Sequence, residues 1–177
     1  VGNRAGDAIT TGEGNTAIGY FSLSTTTTAD NNTAVGVDSL GLNSTGAGNT
    51  AVGKDALRAN TTADNNTAVG VNALVANTTG AQNVALGSQA LINNTTANNN
   101  VAIGFQTLYP NTTGAENTAV GQGALGSNTT ASYNVAVGQG AGDAITTGNY
   151  NTAIGRSALT ALTTNAANTA VGGTALA

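Results

Sequence analysis

The sequence predicts an all-β fold, a parallel β-solenoid of about ten coils with 17 residues to the coil. Three observations carry it. The Gly that closes each "NTAVG" falls at 2, 19, 36, 53, 70, 87, 104, 121, 138, 155 and 172, and every interval is 17. The segments between are rich in Thr, Val, Asn and Gly, a mixture that disfavours helix and suits short strands separated by turns. Leu, Ile, Val and Phe supply only 33 of 177 residues, under the ~20% below which composition alone argues against a packed core. Order must therefore come from repetition, and a fixed period near 20 residues with one supersecondary unit per copy is the mark of a solenoid. The chain reads as a single repeat domain over residues 1–177, with nine full repeats from Asn15 to Ala167 and partial repeats at both ends.

Numbering each repeat from its Asn (Asn15, Asn32 and so on) places every element in turn. Positions 2 to 4 are Thr/Val, Ala and Val/Ile/Leu, a short strand. Equivalent strands stack at ~4.8 Å, so ten coils make a column roughly 50 Å tall. Position 1 then becomes a column of Asn whose amides hydrogen-bond up and down, as in stacked-sheet ladders. Position 5 is always Gly, which suits a turn with positive φ or a close backbone approach. Position 9 is usually Leu, but Gly6 and Gly142 stand there in two copies, and in those same copies position 12 becomes Ile9 and Ile145. Volume lost at one site and regained three residues on implies that both side chains reach one core layer. Positions 13 and 14 are Thr-Thr in nine of ten copies; being adjacent, one Thr should face in and the other out. Position 15 alternates Gly12, Ala29, Gly46, Ala63 onward, a 34-residue double repeat that is either a duplication record or an alternation of turn type.

All twelve charged residues fall at positions 6, 7, 10, 16 and 17. Positions 6, 7 and 10 also vary most, which marks them as the solvent face.

"NNVAIG" at 99–104, with "NTAVG" and "NTAIG" elsewhere, resembles the head repeats of trimeric autotransporter adhesins, and similar arrays occur in phage tail fibres. The resemblance covers essentially all 177 residues. It implies a left-handed β-roll, three chains side by side, and attachment to surfaces from an extracellular, cell-surface or virion location. It differs in the strict 17-residue coil with its added "NTT" turn and in carrying no coiled-coil stalk or membrane anchor.

The resemblance gives the position-3 Ala a role. Positions 2 and 4 share one strand face, so position 3 points to the other. Ala17, Ala34, Ala51, Ala68, Ala85, Ala102, Ala119, Ala136, Ala153 and Ala170 are nonetheless identical, which predicts that both faces are buried. The second layer is expected from neighbouring chains in a closed threefold homotrimer, making the ten Ala the candidate oligomer interface. No cap is visible at either end, and the first residue is not Met, so flanking domains or end-to-end stacking are expected.

Composition excludes several activities. Four Lys+Arg cannot build a basic face for nucleic acid. No apolar run approaches the ~18 residues that would insert in a membrane. Without His or Cys the usual acyl-transfer arrangements cannot form, and no catalytic residue, cofactor or metal is expected. Asp38 and Asp55, both at position 7 of consecutive coils, stack near the ~5–5.5 Å carboxyl separation of retaining glycosidases, but neighbouring Lys54 and Arg58 make a neutralised surface pair the simpler reading. Calcium needs clustered carboxylates, and there is no Asp column. An ice-binding face would combine positions 12, 14 and 16, where Glu13, Asp30 and Asp64 interrupt it. The sequons at Asn43, Asn60, Asn77, Asn94, Asn111 and Asn128 read as a recurring turn. The candidate binding residues, for a host surface glycan or protein, are the aromatics Tyr20, Phe21, Phe105 and Tyr109. The expected function is a structural segment of a trimeric extracellular fibre, spacer or adhesive head, ahead of a ligand- or ice-binding solenoid and of a glycan-degrading fibre.

Overall fold

Stacking of the repeats is realised residue for residue. The computed structural model describes residues 2–177. Ten strands of three residues, from Thr16–Ile18 to Thr169–Val171, occupy positions 2 to 4 of successive repeats. They form one parallel sheet in sequential order, and each residue pairs with its equivalent one repeat on, as Ala68 does with Ala85. No helix occurs among the described residues. Parallel neighbours need a crossover of a dozen or more residues, and the rest of each coil is that crossover.

The crossover is a run of turns, yet it stays hydrogen-bonded to the coils above and below. Asp38 N–H donates to Tyr20 O at 2.9 Å, Leu40 N–H to Ala56 O at 3.0 Å and Ser44 N–H to Thr61 O at 2.9 Å. The bends come from left-handed residues at positions 7, 9 and 17, such as Asp55 (φ 57), Leu57 (φ 50) and Asn65 (φ 59). Left-handed backbone costs an L-residue roughly 1–2 kcal/mol. At position 9 that cost is offset by complete burial of Leu23, Leu40, Leu57, Leu74, Leu91, Leu108, Leu125 and Leu159, worth about 1.5–3 kcal/mol each. Where Gly142 replaces Leu, its Cβ direction points 3.1 Å from Ile145 Cδ1, so the expected volume exchange between positions 9 and 12 is real.

Two Asn ladders run inside the column. At position 1, Asn66 N–H donates to Asn49 Oδ1 at 2.9 Å, as the sequence predicts. The second ladder, at position 12, was not anticipated: Asn60 Nδ2 donates to Asn43 Oδ1 at 2.9 Å. Both close the coil on one carbonyl, because Asn49 Nδ2 and Asn60 Nδ2 both donate to Ala63 O, at 2.8 and 3.0 Å. These amides are fully buried, and buried polar groups require partners. The lone exception, Asn111 Oδ1, lies where the second ladder stops: Asn128 turns its oxygen to accept from Ala131 N–H at 3.1 Å, and the next residue in the column is Ile145.

The turn keeps one backbone form in both kinds of coil, left-handed at position 17 throughout, as in Asn31 (φ 57) and Gly48 (φ 68); what alternates at position 15 is the space for a side chain. A Cβ on Gly12, Gly46, Gly80 or Gly114 would collide with the carbonyl oxygen of the following coil's position 15. In these coils the position-16 N–H finds its acceptor on the next coil's side chain: Glu13 donates to Asp30 Oδ1, Ala47 to Asp64 Oδ1 and Ala81 to Asn98 Oδ1, each at 2.7 Å. Position 5 shows both expected properties, since Gly53 has φ 134 and a Cβ there would lie 2.6 Å from Gly70 O.

Candidate functional site

The strand faces are the reverse of the sequence expectation. Ala34, Ala51, Ala68, Ala85, Ala102, Ala119, Ala136 and Ala153 are fully buried inside the chain's own column, Ala170 nearly so, and Ala17 packs against the same core. They therefore cannot form the predicted oligomer interface. The physical reason is thickness. The Cβ direction of Gly142, at the Leu position, points 3.7 Å from Ala136 Cβ, so one Leu layer fills the space behind the strand. Anything larger than Ala would overpack it.

The Thr/Val and Val/Ile/Leu columns at positions 2 and 4 consequently face outward. Ile18, Val69, Ile103, Val135, Val137, Ile154 and Val171 are 37–67% exposed. With half-buried Val35, Val52, Leu86 and Val120 between them, position 4 is an apolar stripe along the sheet, flanked at position 2 by Thr in seven of ten copies. Positions 1 to 5 carry no charge in any copy.

The four predicted binding aromatics separate into two places. Tyr20 is exposed and meets half-buried Phe21 edge to face at 4.3 Å, with the Arg4 guanidinium 5.3 Å above the Phe21 ring. Phe105 is exposed and Tyr109 half-buried on a later coil. Sequence reasoning missed a second pair. Tyr133 and Tyr150 stack in parallel, centroids 4.9 Å apart, and both hold position 17 of consecutive coils; their spacing of one period was the available signal. The Glu116 carboxylate, one coil earlier in the same column, holds the Tyr133 phenol above its ordinary 10.0, and Tyr150 adds to the effect.

Asp55 lies 3.1 Å from Lys54 and 3.7 Å from Arg58, the neutralised surface arrangement. No group of three or more His, Cys, Asp or Glu able to hold a metal occurs among the described residues. The Thr-Thr pair meets the expectation on one side only: Thr62, Thr79 and their equivalents at position 14 are exposed, but position 13 does not turn into the core; Thr61 is half-buried and its Oγ1 donates to Thr78 O at 3.1 Å. Position 12 lies inside, so the ice-binding array of positions 12, 14 and 16 loses one of its three columns. The sequon residues Asn43, Asn60, Asn77, Asn94, Asn111 and Asn128 are fully buried, which leaves no room for a glycan in the folded column.

On the variable face, one hollow of about 430 Å³ is lined by Gln106, Tyr109, Gly123, Gly126, Ser127 and Asp143. A second, of about 290 Å³, shares Gln106, Gly123 and Asp143 with it. Searches of protein-family models, curated proteins and solved structures return no match to this chain.

Proposed function

We propose that this chain is a structural segment of an extracellular trimeric fibre, acting as spacer or adhesive head, in which the sheet faces of three chains turn toward a common axis. The observation that carries this reading is the exposed stripe at positions 2 and 4. Nine strand intervals of ~4.8 Å make its apolar position-4 column roughly 40 Å long, and contiguous exposed apolar surface on a monomer is often functional. The stripe also lacks charge in every copy, and the centre of an interface is where charge is depleted. A closed cyclic arrangement lets each chain cover its stripe with a neighbour's.

Sedimentation velocity tests the proposal. The wild-type chain is expected to sediment as a trimer. Val69→Lys with Ile103→Lys, both on the exposed face, should give a folded monomer with unchanged circular dichroism. A wild-type chain that sediments as a monomer overturns the fibre reading. A ligand-binding solenoid is the second reading, favoured by the joined hollows on the variable face.

A further inference from the structure

We infer that the joined hollows between Gln106 and Ser157 form a trough for a short neutral oligosaccharide. The inference rests on the ligand-binding reading and is independent of the fibre.

Its origin is visible in the register. Position 7 carries a side chain in every coil except two consecutive ones, where it is Gly123 and Gly140, and position 10 between them is Gly126. Space does not demand glycine there. A Cβ on Gly123 would meet nothing within 4 Å, and one on Gly140 would meet only Ser157 Oγ at 3.8 Å and Asp143 Oδ2 at 3.9 Å. Their φ values of 64 and 61 match those of Gln89 (61) and Gln106 (53) in the same column. The effect of the glycines is the open space.

The walls suit hydroxyl-rich ligands. Gln122, Gln139, Asp143, Arg156 and Ser157 line the second hollow, and Tyr109 and Asp143, two coils apart in the position-10 column, both line the first. Asp143 and Arg156 form no ion pair, and among the described residues the ion pairs are those of Asp55. Gln106 Nε2 donates to Gln89 Oε1 at 2.8 Å, which leaves Gln106 Oε1 free to accept. Amides donate to and accept from vicinal hydroxyls, a carboxylate accepts from them, and an aromatic ring covers the apolar C–H face of a pyranose. One carboxylate and one guanidinium balance, favouring an uncharged ligand. A single carboxylate is too few for calcium, and the polar lining does not suit an apolar peptide. From the coil of Gln106 to that of Arg156 is three coil steps, ~14 Å at the strand spacing, so the trough takes a short chain rather than one sugar.

Titration calorimetry with cello-, xylo-, malto- and chito-oligosaccharides tests it. At least one should bind the wild-type chain. Gly123→Gln with Gly140→Gln fills the trough with a residue the same column already holds; the left-handed φ at both sites should lower the melting temperature, and at a temperature where circular dichroism shows the variant folded its binding should be more than tenfold weaker. Asp143→Asn, on an exposed side chain, should weaken it several-fold and does not depend on the filled variant folding. If both variants bind like wild type, the ligand sits elsewhere: the trough fails and the ligand-binding reading stands. If none of these sugars binds the wild-type chain, both fail.

Discussion

The sheet face and the face built from positions 6, 7 and 10 lie on the same ten coils but obey different rules. Along the sheet, position 3 is Ala in all ten copies and positions 2 and 4 interchange only residues of similar shape. Along the other face, position 7 runs from Arg4 through Phe21, Asp38 and Gln89 to Gly123. The backbone at position 7 is unchanged beneath these different side chains, as the matching φ values of Asp55 (57) and Gln89 (61) show. The column therefore tolerates almost any side chain at position 7 and almost none at position 3. Invariance reports packing against the column or a partner, whereas variation reports the surface where individual coils can differ in chemistry.

The largest test of that contrast is Ala85→Arg with Ala102→Arg. These residues are paired neighbours in the sheet with no exposed area. Burying an unpaired charge costs several kcal/mol per site, against a total stability of about 5–15 kcal/mol for a typical domain. Loss of cooperative folding is expected in circular-dichroism melts. A variant that melts with wild type would return Ala to an outer face.

Asn77→Ala is the intermediate case. It removes the bonds from Asn77 Nδ2 to Asn60 Oδ1 at 3.1 Å and to Gly80 O at 2.8 Å, which leaves Asn60 Oδ1 without a donor, and it takes from Asn94 Nδ2 one of its two acceptors, Asn77 Oδ1 at 3.0 Å, the other being Ala97 O at 3.1 Å. Leaving buried groups unsatisfied costs about 1–3 kcal/mol, to be read as a lower urea midpoint. A variant as stable as wild type would make the second ladder ornamental. The smallest effect is expected for Asn72→Arg with Gln89→Arg, adjacent copies of position 7. A change within about 0.5 kcal/mol per site is predicted, and a shift of several kcal/mol would show that the variable face is packed after all.

The period, the position-1 ladder, the Gly column and the Leu–Ile exchange were legible because ten internal copies expose what stacking forbids. The strand parity was not. The usual rule sends the larger apolar side chains inward, and Val and Ile outrank Ala. Here the coil is so thin that Leu57 and its equivalents, entering from the opposite wall, leave room for a methyl group only. Identity at Ala68 and its nine equivalents was the right signal for tight packing, assigned to a neighbouring chain instead of to the column itself. The position-12 ladder stayed hidden for another reason: "NTT" reads equally well as an exposed turn, and only closure of the coil on Ala63 O reveals why Asn60 must be inside. The binding candidates were partly legible. Tyr109 borders the trough, but three glycines that matter by what they lack give no signal in a search for reactive side chains.

The alternation at position 15 has a consequence for how such a chain can grow or shrink. A Cβ on Gly80 would meet the Ala97 carbonyl, whereas Ala63, with Gly80 as its partner on the next coil, carries a methyl group, so the smallest repeating module is two coils. Excising residues 66–82 would set Ala63 beneath Ala97, a pairing that occurs nowhere along the column, whereas excising 34 residues restores the original junction. The molecule is thus a ruler graduated in steps of ~10 Å, two strand spacings, and lengths that fall between its marks carry a fault at the splice.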